Sequence, residues 1–392
     1  MILNKIADKV VFNILKRISV GYLEVTLITG ELLKFGDHND KLRADLKITS
    51  PNLNYNLIKG GSVGLAECYM RNEFETSNLS NLIELAARNI NIVHKFAGIL
   101  DLKFLNFIKN KFVKNTKNRS KENIAKHYDL GNDFFSLWLD KTLTYSSAIF
   151  DEQNKDLSKA QNNKYQKLIN LIQPNNGDKI LEIGCGWGGL LRYAAKNYGI
   201  IGTGISPADN QIELARERNG KLNIEYFQMD YRDLSGKFDR IVSVGMMEHV
   251  GPKNLETFFD KCISLLKPDG MMLHHTIASN ETKQVTDPFF DRYIFPGGVL
   301  PSLAQISKAV EKKVIIEDVH NFGPDYEKTL LAWHANINNK RWREIPNYDE
   351  RFRRMWNYYL LSSAAGFRAR HIQLIQVVFR QMNSRGAYKA VR

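Results

Sequence analysis

Apolar residues near the start of the chain recur at helical spacing. The positions are Leu3, Ile6, Val10, Ile14 and Ile18. Steps of three or four residues place these side chains on one face, so the pattern predicts an amphipathic helix. The stretch YLEVTLITGELLKF is rich in β-branched and aromatic residues around Thr29-Gly30, which predicts a hairpin, and RADLKITS predicts a further strand. Helical segments interrupted at Gly60-Gly61 follow, so we expect residues 1–110 to form a small α+β domain.

A different pattern begins near residue 122. Helix-like and strand-like segments alternate in the order SKAQNNKYQKLINLI, DKILEIG, GLLRYAAKNY, IIGTGIS, NQIELARERN, NIEYFQMD, FDRIVSVG, LETFFDKCISLL and GMMLHHTI. Strands alternating with helices predict a doubly wound, mostly parallel α/β sheet, whose ligands bind beyond the carboxyl ends of the strands. We expect this second domain to span 123–392, after a polar basic linker at 111–122.

Composition limits the classes of protein to consider. The 392 residues are 43% hydrophobic and 25% charged. Such a chain forms a sizeable core, and no apolar run approaches the roughly 18 residues of a membrane span. The N-terminus lacks the apolar core of a secretory signal, and three widely spaced cysteines fit a reducing compartment without disulfides or a metal site. We therefore expect a cytoplasmic protein.

The net charge of +13 indicates an anionic partner. Residues 103–126 hold eight Lys or Arg and one Glu, and residues 340–392 hold twelve basic and three acidic residues. Phe and Leu lie between the basic residues of the first stretch, which suits a lipid headgroup boundary better than a nucleic-acid duplex. A solvated basic face has the same composition. We expect an anionic membrane as the partner and no nucleic acid, because the sequence carries no nucleic-acid motif.

The stretch EIGCGWGGLLRY at residues 182–193 is the first with a chemical signature. Gly184, Gly186 and Gly189 fit the G-x-G-x-x-G loop of dinucleotide-binding proteins, which needs an acidic residue about twenty positions later for the ribose. Ser206 stands at that place, so the dinucleotide interpretation loses support. The loop matches instead the E-x-G-x-G-x-G pattern of class I S-adenosylmethionine methyltransferases. Asp230-Tyr231, at the end of the third strand, stands where these enzymes hold adenine.

Longer stretches resemble one family of these enzymes, the cyclopropane-fatty-acyl-phospholipid synthases. The matching stretches are HYDLGNDFF, EIGCGWGG, MDYRDL, FDRIVSVGMMEHVGPKN, LHHTI, YIFPGGVLPS, HNFGPDYEKTLLAWH and FRARHIQLIQVVF. They cover most of residues 123–380, in family order and spacing. The resemblance implies a seven-stranded, Rossmann-like methyltransferase sheet, an N-terminal lipid-interacting domain and a homodimer.

The resemblance also implies a reaction and its residues. Family members transfer a methylene group from S-adenosylmethionine to a cis double bond of an unsaturated phospholipid, and a bound bicarbonate ion takes the released proton. By position, the expected catalytic residues are Glu248, His275, Tyr326, Ser147 and, through its backbone, Ile277. The expected cosubstrate-binding residues are Tyr145, Ser146, Glu182, Gly184, Gly186, Gly188, Ser206, Gln211, Asp230 and Tyr231. The enzyme is expected to associate peripherally with the inner face of the cell membrane.

Ser147 departs from the family pattern, in which better-known members have cysteine. A hydroxyl still hydrogen-bonds bicarbonate, but the change leaves open the methylation of the acyl chain without ring closure. Two other classes also stay open. A lipid-binding or transfer protein without catalysis gives no reason for Glu182, Gly186 and Glu248 to occur together. A methyltransferase for a soluble small molecule or RNA does not explain the amphipathic start.

Overall fold

The structure is a computed structural model that describes residues 2–92, 130–151, 155–338 and 348–391. The chain divides into two compact units. The described residues of the first unit are 2–92, 287–294 and 348–371, and those of the second are 130–151, 155–286, 295–338 and 372–391. The basic stretch at 103–126 and the linker expected at 111–122 lie outside the described residues. The domain limits drawn from the sequence therefore stay a prediction.

The first unit is an α+β fold whose described part contains a four-stranded sheet. Its helices are α1 (Ile2–Leu15), α2 (Leu53–Met70), α3 (Leu79–Arg88) and α12 (Glu350–Arg368). Its strands are β1 (Tyr22–Thr26), β2 (Leu32–Gly36), β3 (Arg43–Ile48) and β4 (Phe74–Glu75), in the order β2-β1-β3-β4. Strands β1 and β2 form the expected antiparallel hairpin, and β3 runs parallel to β1. Helix α2 is interrupted at Gly61, whose φ is 56° and ψ is −129°, where the sequence predicted a break.

The expected amphipathic helix is present as α1, but its apolar face is only partly covered. Ile2, Leu3 and Ile6 are 76%, 62% and 56% exposed, and the neighbouring Lys5 and Lys9 are exposed as well. The beginning of α1 therefore presents aliphatic and cationic side chains to solvent. Among the described residues, no helix combines the length and apolar character needed to cross a membrane.

The second unit is an α/β fold with seven strands in its described part. Its helices are α4 (Gly131–Ser136), α5 (Leu157–Ile172), α6 (Gly189–Tyr198), α7 (Asp209–Glu217), α8 (Met247–Val250), α9 (Leu255–Leu265), α10 (Leu303–Val310) and α11 (Gly323–Asn338). Its strands are β5 (Lys179–Ile183), β6 (Ile201–Ser206), β7 (Ile224–Gln228), β8 (Phe238–Val244), β9 (Leu266–Ser279), β10 (Val314–Asn321) and β11 (Ile372–Gln381). The strand order is β10-β11-β9-β8-β5-β6-β7. Strands β5 to β9 are parallel and β11 is antiparallel to both neighbours, so the predicted doubly wound, mostly parallel sheet is confirmed.

Both faces of this sheet are buried. Consecutive residues of a strand point to opposite faces, and here they enter different hydrophobic clusters. Leu181 and Ile241 pack in a cluster with α9 and α10, whereas Ile180 and Val242 pack in a cluster with α5 and α6. Burial on both sides explains why the central strands are nearly continuous apolar runs in the sequence.

The order of the strands determines where a ligand can bind. From β5 the chain continues to β6 and β7 on one side, and then crosses to β8 on the other side of β5. The loops beyond the carboxyl ends of β5 and β8 therefore diverge and leave a crevice between them. The glycine-rich stretch of the sequence lies at this point.

Candidate active site

The loop from Gly184 to Gly188 leads from the end of β5 into α6. Gly186 has a φ of 51°, and a Cβ atom built on it would meet no other residue within 4 Å. Gly188 has a φ of 74°, and a Cβ atom built on it would lie 2.4 Å from Oη of Tyr226. Gly186 therefore keeps the backbone open to solvent, whereas Gly188 makes room for a side chain of β7.

A cleft beside this loop encloses about 1250 Å³ of empty space, part of it open to solvent. Nine of the ten residues expected to bind the cosubstrate line the cleft, and the tenth, Gly188, does not. Pro207, Met229 and Met246 add apolar surface to its walls. The structure thus gathers residues from the ends of β5, β6, β7 and β8 around one crevice, as the strand order requires.

The ends of β6 and β7 carry the polar groups of one part of the cleft. The hydroxyl of Ser206 donates to Oε1 of Gln211 at 3.0 Å, and both side chains are buried. The carboxylate of Asp230 accepts three hydrogen bonds from Arg232, from Nε and Nη2 at 2.7 Å each and from the backbone amide at 3.0 Å. The ring of Tyr231 packs edge-to-face on Phe258 at 5.1 Å. A hydroxyl therefore stands at the end of β6, where dinucleotide-binding proteins carry a carboxylate.

Glu182 provides a buried carboxylate in the wall of the cleft. It is 4% exposed, and among the described residues its Oε2 atom has no hydrogen-bond partner. Burial raises the pKa of Glu182 to about 8, against the lowering effect of Lys164 and Arg192. A buried oxygen without a partner fits a ligand that brings N–H groups or a positive charge. The amino acid end of S-adenosylmethionine carries such an ammonium group.

Helix α5 holds the opposite wall of the cleft, the segment 142–146, with three polar side chains. Gln161 donates from Nε2 to the backbone oxygens of Ser146 at 2.9 Å and Thr144 at 3.4 Å. Lys164 donates from Nζ to Oγ of Ser146 at 2.8 Å. The hydroxyl of Tyr165 is hydrogen-bonded to Oγ1 of Thr144. Sequence reasoning missed these residues, although their spacing of three and four positions, which places them on one helix face, was a usable signal.

A second polar cluster combines Glu248, which follows the end of β8, with residues of β9 and β11. Oε1 of Glu248 accepts a hydrogen bond from the amide of Ile277 at 2.6 Å. Nε2 of Gln376 lies 3.4 Å from Nδ1 of His275. Because an amide NH₂ group only donates, Nδ1 of His275 accepts and Nε2 carries the ring proton. Among the described residues, neither Oε2 of Glu248 nor Nε2 of His275 has a partner.

Chain connections link this cluster to the cleft. Glu248 lies between Met246 and His249, which both line the cleft, and His275 pairs with Val244 at its edge. None of the five residues expected to be catalytic is itself among the residues that line the cleft in the described part of the chain. The backbone amide of Ile277 donates its hydrogen bond to Glu248 and so orients that carboxylate.

Ser147 and Tyr326 are brought near each other through Thr329. The amide of Ala148, next to Ser147, donates to Oγ1 of Thr329 at 3.0 Å. Thr329 and Tyr326 lie one turn apart on α11. The hydroxyl of Ser147 donates to the backbone oxygen of Ala148 at 3.0 Å.

Burial changes the protonation of the second cluster. It raises the pKa of Glu248 to about 7, and burial followed by the charge of Lys164 lowers the pKa of His275 to about 3. Near neutral pH the imidazole of His275 is therefore uncharged, and the carboxyl group of Glu248 is partly protonated. Oε2 of Glu248 can accept a hydrogen bond and Nε2–H of His275 can donate one, and these are the two groups that a small oxyanion with one O–H needs. Bicarbonate is such an ion.

Comparisons with known proteins show the family of the chain. The sequence model of the mycolic acid cyclopropane synthetase family matches residues 115–377. The chain is 41% identical to the cyclopropane-fatty-acyl-phospholipid synthase of Escherichia coli (strain K12) over 359 residues, 90% of this chain and 91% of that protein. It is 31% identical to the tuberculostearic acid methyltransferase of Mycobacterium tuberculosis over 343 residues, 81% of this chain and 78% of that protein.

Solved structures show the same fold. The mycolic acid cyclopropane synthase CmaA1, solved with S-adenosylhomocysteine and CTAB, is 30% identical with a TM-score of 0.62. The match covers 67% of this chain and 98% of that one. The expected resemblance and fold class are thus confirmed. The chain belongs to the mycolic acid cyclopropane synthetase family and is an S-adenosylmethionine-dependent methyltransferase.

Proposed function

We propose that this enzyme transfers a methylene group from S-adenosylmethionine to the cis double bond of an unsaturated phospholipid, and so forms a cyclopropane ring in the acyl chain. The relative from Escherichia coli, which matches over 90% of this chain, is named for that reaction. The observation that carries the proposal is that Glu248 and His275 are both buried near the cosubstrate cleft, and that each has a polar atom without a hydrogen-bond partner in the part of the chain that the structure describes.

The reaction has two demands that the site meets separately. The electrons of the double bond attack the sulfonium methyl group without help from a base, so this step needs only a bound and oriented cosubstrate. Because Gly186 has no side chain, the cosubstrate can lie close to the backbone of the loop. Oε2 of Glu182 can accept a hydrogen bond from the ammonium group of the cosubstrate. The carbocation that results must then lose a proton before water captures it.

Aromatic side chains provide a dry environment for that cation. Tyr145 lines the cleft, and its ring centroid lies 5.4 Å from that of Trp333, which is fully buried. Tyr326 packs edge-to-face on the same Trp333 at 6.0 Å. Aromatic faces attract a positive charge, and their apolar bulk excludes water.

Glu248 and His275 are the residues that would hold bicarbonate. When bound, bicarbonate supplies a base for the proton lost from the added methyl group. Ile277 keeps Glu248 in place through its amide, and Gln376 fixes the tautomer of His275. With its pKa near 7, Glu248 can accept or return a proton at the pH of the cytoplasm.

The lipid substrate must be reached at a membrane surface, and α1 supports docking there. Its exposed Ile2, Leu3 and Ile6 suit the acyl boundary of a bilayer, and Lys5 and Lys9 suit anionic headgroups. The net charge of +13 adds long-range attraction. We therefore propose peripheral binding to the anionic inner face of the cell membrane.

Gly186→Val should abolish the binding of S-adenosylmethionine in isothermal titration calorimetry. The valine side chain would extend into the cleft and occupy space that the cosubstrate needs. A valine at this positive φ is also strained by about 1–3 kcal/mol. Gly220→Val is the matched control, because Gly220 also has a positive φ of 61° and open space but does not line the cleft. Equal binding by the parent and Gly186→Val would contradict the placement of the cosubstrate.

Glu248→Gln should lower turnover by about a hundredfold or more while the affinity for S-adenosylmethionine stays within about twofold, because it removes a proton-handling group and not a wall of the cleft. Turnover is measured as transfer of label from S-adenosylmethionine to unsaturated phospholipid vesicles. Glu256→Gln, at a side chain that is 72% exposed, is the control. A fully active Glu248→Gln enzyme would remove Glu248 from the reaction.

The same variant tests the burial of Glu248 through stability. Burial raises its pKa from 4.5 to about 7, so the folded state holds the proton more tightly than the unfolded state. The parent therefore loses stability as pH rises from about 4.5 to 7, and the Glu248→Gln variant, which has no proton to lose there, does not. The melting temperature of Glu248→Gln relative to the parent should rise between pH 5 and pH 8. A constant difference would mean that Glu248 is solvated.

The double variant Leu3→Ser, Ile6→Ser should bind anionic vesicles at least about tenfold more weakly than the parent, since each exposed aliphatic side chain gains about 1.5–3 kcal/mol on full burial. Cosedimentation measures the bound fraction, and binding by the parent should weaken as salt rises. Ile28→Ser is the control, because Ile28 is 57% exposed but lies in the turn between β1 and β2. Equal loss in the control would show that any exposed aliphatic residue contributes in this way.

A further inference from the structure

Lys164 is a buried lysine that the reaction described above does not use. It is 1% exposed, and its Nζ donates to Oγ of Ser146 at 2.8 Å. Both residues line the cosubstrate cleft. Lysine is one of the residue types that are almost never fully buried, because its ammonium group loses its hydration. A lysine at this place therefore needs a reason other than packing.

The surroundings of Lys164 stabilise its charge only in part. Burial lowers its pKa to about 7, while the carboxylates of Asp140 and Glu182 oppose that shift. The ring of Tyr165 lies 4.8 Å from Nζ, and the charge of Lys164 is felt by His275 as well. The ammonium group of Lys164 thus interacts electrostatically with Glu182 of the cleft wall and with His275 of the second cluster. Its hydrogen bond goes to Ser146, in the segment 145–147.

That segment connects the two parts of the site. Tyr145 and Ser146 line the cleft, and Ser147 is the next residue toward Thr329 and Tyr326. Gln161 fixes the backbone of Ser146, whereas Lys164 fixes its side chain. A shift of the Ser146 hydroxyl changes the cleft wall directly.

We propose that Lys164 is a positioning residue of the methyl-donor site, which holds Ser146 so that the segment 145–147 presents its side chains to the cosubstrate and the acceptor. This inference rests on the proposed function, because it assumes that S-adenosylmethionine occupies the cleft. Lys164 acts through Ser146 and is not assigned a contact with the reacting atoms.

A positioning role and a purely structural role are separated by comparing stability with binding. Removal of one charge from a buried set lowers stability, so Lys164→Met, which leaves Asp140 and Glu182 without their cation, should lower the melting temperature. Ser146→Ala removes the same hydrogen bond but keeps the charge, so it should keep the melting temperature of the parent. For both variants, measured below their melting temperatures, the affinity for S-adenosylmethionine and the turnover should fall by about ten- to a hundredfold, the range expected for the loss of a charge-assisted hydrogen bond.

The experiment compares the parent, Lys164→Met, Ser146→Ala and the double variant by calorimetry with S-adenosylmethionine, by turnover and by thermal melting. Because the two single variants remove the same hydrogen bond, the double variant should bind S-adenosylmethionine no more weakly than the weaker single variant. Lys167→Met, at an exposed lysine of the same helix, should equal the parent. If Lys164→Met fails to fold, Ser146→Ala tests the same bond from its other end.

Three results would overturn the proposal. One is normal binding and turnover in Lys164→Met or, if that variant does not fold, in Ser146→Ala. Another is a loss of binding in Lys164→Met beside normal binding in Ser146→Ala, which would tie the loss to the missing charge, and the third is additive losses in the double variant. Failure of the proposed function is recognised separately, since the parent itself would then bind no S-adenosylmethionine.

Discussion

Desolvation of ionisable side chains at the carboxyl edge of the parallel strands is the constraint on which this site depends. Burial brings the pKa of Lys164 down to about 7 and raises those of Glu182 and Glu248 to about 8 and 7. Groups that are fully charged in water thus become able to exchange protons near neutral pH. Under the proposed function, the same exclusion of water would protect the carbocation from capture. Proton transfer and protection of the intermediate would then have one physical origin in this fold.

The sheet creates that environment by being buried on both faces. Helices α5 and α6 cover one face and α9 and α10 the other, and the ends of β5 and β8 open into a crevice whose walls combine apolar residues with buried polar ones. Buried polar groups are tolerated there because neighbouring residues hydrogen-bond them. Ile277 donates to Glu248, and residues of α5 hydrogen-bond the segment 142–146. Under the proposed function, the two demands of the reaction fall on two adjacent clusters, one for the cosubstrate and one for the released proton.

The sequence was sufficient for the parallel part of the fold, and this has a physical reason. From α5 to β9, apolar runs and amphipathic helices alternate, and each element carries its own periodic pattern. The antiparallel strand β11 carries a similar run, but it inserts between β9 and β10 from far along the chain, and local patterns do not determine partners. The clustering of 287–294 and 348–371 with the first unit is non-local in the same way.

The site was predictable to different depths. The glycine loop and the residues after β6 and β7 could be predicted because S-adenosylmethionine requires specific residue types at fixed spacing, and the structure places nine of the ten predicted residues in the wall of the cleft. Lys164 and Gln161 were missed, because lysine and glutamine on an amphipathic helix are usually solvated, and only the structure shows them buried. Gly188 was predicted from the same motif, and in the structure its missing side chain makes room for Tyr226. A motif identifies the residues of a loop but not the reason why each of them is glycine.

The most direct measurement of the central claim follows the transferred carbon. Purified enzyme is given S-adenosylmethionine with a fully deuterated methyl group and unsaturated phospholipid vesicles, and the lipid is analysed by mass spectrometry and proton NMR. Formation of a ring requires loss of one deuteron, so the account predicts a lipid that gains CD₂ and shows cyclopropane resonances. A lipid that gains CD₃ without a ring, or a lipid that gains no deuterium, would contradict it.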